Sequence, residues 1–207
     1  MSSALAIASV TAVLKNLLGN ALMQQSAAAN IGDMTITALP PDRIPTGAEE
    51  RTQLNLHLYR LTPNSGWRRA GAFSSQKVQQ NKLPLALDLH YLLTAYGERD
   101  FQAELVLGYA MQCLYETPIL TRETIRSALG STSPSNGGSA PLTALSASAL
   151  ADQVEQINIS PEFLGLEEMS KLWSSLQTRA RLSVTYQVSA ILIEDRRANM
   201  AALAHVS

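Results

Sequence analysis

The sequence predicts an α+β fold in which a mixed, largely antiparallel sheet is flanked by helices. Apolar and polar residues alternate in three segments, 53–61, 85–96 and 181–194, as expected of strands with one buried face. Apolar residues recur at three- and four-residue steps in other segments, which is typical of a helix with one buried side. The predicted order is helix, three strands, two helices, strand, helix and strand. This order favours helices packed on a mixed or antiparallel sheet.

The first predicted elements are a helix at 3–28 and a short strand at 34–39. Alanine-rich flanks favour the helix, and β-branched residues favour the strand. Residues 40–51 are predicted to form a polar loop, because proline cannot donate to a β-ladder and restricts the residue before it. The apolar positions expected on one helical face are Ile7, Val10, Leu14, Leu17 and Leu18.

Two of the predicted strands have faces of different character. The first, 53–61, places leucines on one face and Asn55, His57 and Tyr59 on the other, wetter face. Turn-forming residues at 62–66 are expected to end it. The second, 85–96, alternates leucines with polar residues but also has apolar residues on its second face, so we expect a central and mostly buried strand.

Two helices are predicted between the third and fourth strands. Gly97 is expected to end the third strand, and Asp100 is a candidate N-cap for a helix that runs to Glu116. A second helix is predicted from about residue 121 to residue 130. The positions expected to share the buried stripe of the first helix are Leu105, Val106, Tyr109, Cys113 and Leu114.

A segment without charge, 127–150, is rich in Ser, Gly, Pro, Thr and Ala and is predicted to be a flexible insertion. A strand at 154–159 follows, and Ser160-Pro161 is predicted to form a turn or to begin a helical turn. A short tail, 195–207, ends the single predicted domain, 1–207.

A further helix is expected to open at Gly165, with Trp173 in the core. The apolar side of this helix is expected to contain Leu166, Met169, Leu172, Trp173 and Leu176.

The chain carries little charge, which excludes some classes of partner. Charged residues make up 16% of the chain, against about 25% in typical soluble domains. Lys and Arg number 16 and Asp and Glu number 17, so the formal net charge is −1. Binding to nucleic acid or to a membrane surface would call for a basic excess, so neither partner is predicted. A net charge near zero tolerates association, and the composition therefore favours a protein that assembles.

The cellular compartment is predicted from the single cysteine and from the N-terminal segment. Cys113 alone excludes an intramolecular disulfide and an all-thiolate zinc site, and it suits a reducing cytosol. The apolar stretch 4–14 has no basic residue before it, so we expect no export signal. Asn16 and Asn20 interrupt the only candidate for a membrane span.

Few residues point to enzyme chemistry, and no cofactor or metal is predicted. One alternative is a metal-dependent hydrolase in which His57, Asp88 and His90 form a facial triad of ligands. The other interpretation of these residues is a hydrogen-bonded polar sheet face covered by a helix or a subunit. Cys113 lies among apolar residues of a helix, where thiols are usually inert.

Protein-interface residues are predicted from exposed aromatic and arginine side chains, because both types are enriched at binding hot spots. The Trp-Arg-Arg cluster at 67–69 is the most prominent, although its tryptophan could instead cap the edge of the sheet. The predicted interface residues are Arg43, Trp67, Arg68, Arg69, Arg196 and Arg197.

Six stretches in the same order resemble one protein family across 7–194. They are ASVTAVLKNLL (8–18), QLNLHLY (53–59) with TPN (62–64), LALDLHYLLTAYG (85–97), ETPILT within 111–122, LEEMSKLW (166–173) and YQVS (186–189). Together they resemble the N-terminal domain of the cap, or tail-terminator, proteins of extracellular contractile injection systems such as Photorhabdus virulence cassettes and antifeeding prophages. Some members carry a C-terminal extension, and because this chain ends soon after the last predicted strand, we expect no function of such an extension.

The resemblance implies a phage tail-terminator-like fold and a structural role without catalysis. Such caps form a hexameric ring on the last tier of inner tube and sheath, end elongation and hold the sheath extended. The implied partners are further copies of the chain, the sheath protein and the inner-tube protein. The implied location is the bacterial cytoplasm during assembly and then the particle end distal to the baseplate. Another tube-end or baseplate adaptor of the same particle is an alternative.

The cap interpretation makes one prediction about burial. Polar but uncharged strand faces would be covered by neighbouring structure, so Asn55, Thr185 and Gln187 are expected to be shielded from bulk water by a helix or by a subunit.

Overall fold

The computed structural model describes residues 6–29, 34–64, 66, 85–130 and 156–193. The strands within these ranges are β1 (Thr35–Thr37), β2 (Gln53–Pro63), β3 (Leu85–Tyr96), β4 (Ile119–Thr121), β5 (Gln156–Glu162) and β6 (Ser183–Ile193). The helices are α1 (Ala6–Ala29), α2 (Gln102–Glu116), α3 (Arg122–Gly130) and α4 (Leu166–Ser175). The six strands form one sheet in the order β1-β2-β3-β6-β5-β4. Of the five pairs of neighbouring strands in this sheet, β1 and β2 are parallel and the other four pairs are antiparallel. The predicted α+β fold with a mixed, largely antiparallel sheet is therefore confirmed.

The two faces of the sheet are set by the alternation along β3, the long strand at its centre. Leu89, Tyr91 and Leu93 point to one face, which we call the core face, and belong to the main hydrophobic core. The alternate residues, among them His90 and Leu92, lie on the second face and are also buried. The predicted central, mostly buried strand is therefore confirmed.

Helix α1 packs on the core face through the apolar stripe that its spacing predicts. Val10, Leu14 and Leu18 are fully or almost fully buried, while Ile7 and Leu17 lie at the half-buried margin of the core. The helix also satisfies the one polar group that β3 places in this core: the hydroxyls of Thr11 and Tyr91 are 2.9 Å apart. Burial raises the pKa of Tyr91 above its ordinary value.

Helix α2 begins differently from the prediction, and Asp100 is not its N-cap. Phe101 occupies that position with a left-handed backbone (φ 67°) and makes no side-chain cap hydrogen bond. The Gln102 side-chain oxygen instead holds the chain that enters the helix, because it accepts hydrogen bonds from the Arg99 backbone N–H (2.9 Å) and from the Thr52 hydroxyl (3.0 Å). Gly97 does end β3 as predicted. A Cβ there would lie 2.8 Å from the Ala103 nitrogen, so the tight approach requires glycine.

Two strand predictions were wrong near the edges of the sheet. Strand β4 was not predicted, because three residues are too few to show a periodicity. Strand β5 runs through Pro161, where a turn was expected, and pairs with β6 as far as Glu162. Strand β4 pairs only with residues 156–158 of β5. At Pro161 the outer edge of β5 therefore has no partner strand in the described part of the chain. Proline is tolerated at such an edge, because no ladder hydrogen bond needs its missing N–H.

Helix α4 covers the second face near the end of β3. The Ser183 hydroxyl of β6 lies 3.9 Å from the Met169 sulfur. Trp173 is buried as predicted, but it lies outside the main core cluster. The prediction that Leu166 shares this apolar side was wrong, because its side chain is 90% exposed. At the start of the helix the Glu168 carboxylate accepts a hydrogen bond from the Gly165 N–H at 3.0 Å, which satisfies a free backbone donor.

Parts of the predicted organisation lie outside the described residues. The predicted insertion begins inside α3, which ends at Gly130 as expected. The remainder of the insertion, 131–150, and the tail, 195–207, are not among the described ranges. Within those ranges no helix combines the length and apolarity needed to cross a membrane.

Candidate assembly surfaces

One of the six predicted interface residues can be placed in the fold. Arg43 is exposed at the end of a short 3₁₀ turn, Pro41–Arg43, that precedes β2. The other five predicted interface residues, Trp67, Arg68, Arg69, Arg196 and Arg197, lie outside the described ranges. The interface assignment of these six residues therefore stays a prediction.

The hypothetical metal triad of His57, Asp88 and His90 is not assembled in the structure. Asp88 accepts a hydrogen bond from the Asn64 side-chain amide at 2.8 Å. Burial lowers the pKa of His57, opposed by the negative charge of Asp42. Among the described residues, no group of three His, Cys, Asp or Glu side chains is placed to hold a metal ion. The hydrolase alternative therefore loses the geometry on which it rested.

His90 is instead part of a hydrogen-bonded network across the second face. Its Nε2 lies 2.8 Å from the Thr62 hydroxyl, and its Nδ1 lies 2.8 Å from a Glu162 carboxylate oxygen. The Arg60 guanidinium donates to the other oxygen of Glu162 at 3.1 Å. The Tyr59 hydroxyl donates to Glu162 at 3.4 Å, and burial, followed by the charge of Glu162, raises the pKa of Tyr59 to about 12. The network links side chains of β2, β3 and β5, and both ring nitrogens of His90 have protein partners.

This network joins strands that are not neighbours in the sheet. Arg60 belongs to β2 and Glu162 to β5, and two other strands, β3 and β6, lie between them. Neighbouring strands are about 4.8 Å apart, so roughly 14 Å separates these two strands in a flat sheet. The long side chains of Arg60 and Glu162 reach across the second face and meet in an ion pair of 3.1 Å.

The polar strand residues predicted to be shielded are covered within the chain itself. Asn55 is fully buried: its side-chain oxygen accepts from the Thr37 hydroxyl (2.8 Å) and the Leu39 N–H (3.0 Å), and its amide donates to the Leu39 carbonyl (2.9 Å). Thr185 is also buried and donates to the backbone carbonyl of Glu162. The predicted burial is confirmed for these two residues, although their hydrogen-bond partners belong to strands and to the 38–39 segment and not to a helix or a subunit; Gln187 is only half-buried.

A polar groove beside the start of β2 has its main cation already paired. Arg181 binds Glu50 through two hydrogen bonds of 3.2 and 2.9 Å and lies 5.7 Å from the centre of the Tyr96 ring. Burial raises the pKa of Tyr96 to about 12, opposed by the charge of Arg181. Glu49 and Glu98 line the same groove. The arrangement stabilises the chain locally and assembles no set of reactive groups.

Cys113 has the environment of a structural cysteine. Its side chain is buried in the core. Burial and the nearby charge of Glu116 raise its thiol pKa. The thiolate is the reactive form, so the prediction of an inert thiol agrees with the structure.

Helix α2 and the start of β4 form an uncovered apolar surface. Leu105 was predicted to be buried, but it points outward instead. We call this surface the α2 stripe, and it consists of Phe101, Leu105, Gly108, Tyr115 and Ile119, all exposed. The spacing was visible in the sequence: positions 101, 105, 108, 112 and 115 follow a four-three-four-three pattern along one helical seam, in which only Gln112 is polar.

A second, smaller apolar surface lies where β5 joins α4. Phe163 and Leu166 flank the connection, and both side chains are largely exposed. We call this surface the β5–α4 corner. Together with the α2 stripe, it is the best candidate that the described residues offer for contact with other proteins, since exposed apolar patches mark interaction sites.

Comparison with solved structures supports the fold. The cryo-EM structure of the sheath/tube terminator of an extracellular contractile injection system, PVC, in the extended state matches with a TM-score of 0.52 and 16% identity over 91% of this chain and 57% of that chain. The cryo-EM structure of the anti-feeding prophage tube-terminating cap matches with a TM-score of 0.45 and 17% identity over 86% of this chain and 55% of that chain. The chain thus spans a little over half the length of these two proteins. No curated protein matches.

Comparison with protein families covers nearly the whole chain. The family described as the Pvc16 N-terminal domain matches residues 9–205. That range begins within α1 and extends past the end of β6, so it includes every strand of the sheet and both assembly surfaces. This protein is therefore a member of the Pvc16 N-terminal domain family.

Proposed function

We propose that this protein is a structural cap, or tail terminator, of a contractile injection system. The observation that carries the proposal is its membership of the Pvc16 N-terminal domain family across residues 9–205. The fold shared with a sheath/tube terminator supports it. In the proposed role, a hexameric ring sits on the last tier of inner tube and sheath, ends elongation and stabilises the extended particle.

The surface chemistry supports an assembling, non-enzymatic protein. The polar groups of His90, Asp88 and Arg181 are bound to other side chains of the same chain, where they stabilise the fold. The exposed apolar α2 stripe and β5–α4 corner are suited to binding other protein surfaces. The proposed partners are further copies of the chain and the sheath and inner-tube proteins.

The proposed location follows from the same role. The chain would be made in the bacterial cytoplasm and would join the particle at the end distal to the baseplate. Release of the particle would then carry the cap outside the cell.

The test uses particles from cells that make a labelled copy of this protein and from cells that lack it. Electron microscopy should show the label only at the particle end opposite the baseplate. Particles without the protein should have uncontrolled lengths or unstable sheaths. A label at the baseplate end would replace the proposal with an adaptor role, and particles of normal length and stability in the absence of the protein would refute a terminator role.

A further inference from the structure

Helix α2 exposes large apolar side chains on its outer side, which an isolated subunit does not explain. Its inner side contributes Val106, Ala110 and Cys113 to the core. Its outer side carries the α2 stripe, which is bordered by the exposed polar residues Glu104, Gln112 and Glu116. Exposed apolar patches rimmed by polar residues mark interaction sites. The outer side therefore has the composition of a surface covered by another protein.

Gly108 gives independent support for a close contact at the centre of this helix. Glycine destabilises a helix interior relative to alanine. A Cβ at this position would meet no atom within 4 Å, so packing among the described residues does not require a glycine. The notch that Gly108 leaves between Leu105 and Gln112 gives room for a side chain of a partner to approach the helix backbone.

The exposed area is of the size expected for the apolar centre of an interface. An aromatic residue presents about 150–250 Å², and Phe101, Tyr115 and Phe163 are 74%, 86% and 78% exposed. These three residues alone leave on the order of 350–600 Å² uncovered. A specific interface buries about 1,200–2,000 Å² in total, including its polar rim.

The two surfaces lie on opposite sides of the sheet. Helix α2 packs on the core face, whereas α4, which follows the β5–α4 corner, packs on the second face against Ser183. A contact between identical chains that repeats in one direction needs two different surfaces on each chain, and it closes into a ring when the rotation allows. A single partner that bound once would need only one of the two, and the mixing test below separates the contact between copies from contacts with the tube and the sheath.

We therefore propose that the α2 stripe of one copy packs on the β5–α4 corner of the next copy, and that this contact builds the ring. The inference rests on the proposed function for its biological meaning, but the contact itself concerns the purified chain alone. In it, Phe163 or Leu166 of one copy enters the notch at Gly108 of its neighbour.

The first test places charge on each surface separately. The stripe variant is Leu105→Glu with Tyr115→Glu, the corner variant is Phe163→Glu with Leu166→Glu, and Ala48→Glu, at an exposed position of another loop, is the matched control. Native mass spectrometry should find a closed oligomer for the wild type and the control, and monomers for both double variants. Circular dichroism should show folded protein in every case.

The second test mixes the two monomeric variants. The stripe variant keeps an intact corner and the corner variant keeps an intact stripe, so a one-to-one mixture should give a dimer that contains one copy of each and no larger species. An isologous contact, or a surface used for the tube or the sheath, would give no such dimer, and that result would overturn the inference.

A third variant guards against loss of folding. Gly108→Ala should melt at a temperature equal to or above that of the wild type, because alanine favours the helix, and yet it should raise the dissociation constant of the oligomer by tenfold or more. A wild-type chain that stays monomeric up to its solubility limit, or double variants that still form the closed oligomer, would also overturn the inference. Neither of these two outcomes would contradict the cap function, which the position of the label on particles tests. Conversely, a label at the wrong place on particles would not contradict the contact between copies.

Discussion

Replacing Asn55 with alanine measures how much one buried polar side chain contributes to the edge of the sheet. Strand β1 is only three residues long, and its ladder with β2 ends at the pair Thr37 and Asn55. Beyond that point the Asn55 side chain takes the place of a backbone partner for Leu39, with hydrogen bonds of 3.0 Å from its N–H and 2.9 Å to its carbonyl. The substitution therefore removes the support of the 38–39 segment as well as the bond from Thr37.

The expected loss follows from the bonds that the variant cannot make. Asn55 makes three of them, each worth about 1 kcal/mol, so the free energy of unfolding should fall by about 3 kcal/mol. Leu39 is partly exposed, so water can replace part of the hydrogen bonding that its backbone loses. The free energy of unfolding should therefore fall by at least about 2 kcal/mol. For a chain of this size the melting temperature should fall by about 2–4 °C per kcal/mol.

The assay is urea denaturation followed by far-ultraviolet circular dichroism, with Thr37→Val as the matched control. That control removes one of the three bonds and should cost about 1 kcal/mol. A fall in the free energy of unfolding of less than about 1 kcal/mol for Asn55→Ala, or no larger than for Thr37→Val, would refute this prediction. The hydrogen bonds to Leu39 would then contribute nothing to stability.

Four further substitutions test other parts of the fold. Gly97→Ala should cost about 1–3 kcal/mol in urea denaturation, because the new Cβ would lie 2.8 Å from Gln102 Cβ and the Ala103 nitrogen. Trp173→Phe should be nearly neutral, since the buried indole N–H has no hydrogen-bond partner among the described residues, whereas Trp173→Ala should cost about 3–5 kcal/mol. Tyr59 has a folded-state pKa of about 12 against an ordinary 10.0, so its neutral form is favoured in the folded chain. Its contribution to stability should be complete below pH 10, fall as the pH rises toward 12, and be absent in Tyr59→Phe when melting curves are compared across that range.

The long elements were predictable because their periodicity is imposed by the fold itself. Strand β3 was predicted with its observed bounds, since both faces of a central strand are buried and leucines mark its length. Helix α1 was predicted almost as well, from the spacing of Val10, Leu14 and Leu18. In both cases the pattern is local and extends over enough residues to be recognised.

The errors arose where distant contacts decide the structure. Pro161 is a turn signal locally, but the free outer edge of β5 accepts it within a strand. Asp100 is a good N-cap by residue type, yet Phe101 occupies the N-cap position, and the Gln102 side chain binds the Arg99 N–H just before the helix. Leu105 was expected in the buried stripe because Leu105 and Val106 are both apolar, and their residue types do not indicate which of the two faces the core.

The candidate site was harder to predict than the fold. The wetter character of the second face could be predicted from Asn55, His57 and His90, but the partner of His90 is Glu162, which is 72 residues away in the chain. No short-range pattern connects them. The α2 stripe was visible as a spacing in the sequence, and only the packing of the opposite side of the helix identifies it as exposed.

The backbone of α2 has a consequence for the turnover of free subunits. Phe101 adopts a left-handed conformation (φ 67°), which costs about 1 kcal/mol or more, and Gly108 costs about as much relative to alanine. Together they raise the unfolded fraction of a lone subunit by up to about thirtyfold. A ligand that binds only the folded state reverses such a loss by mass action, and neighbouring copies would act in this way. We expect unassembled chains to be degraded faster than chains within a ring, which pulse-chase labelling in cells with and without the rest of the particle would measure.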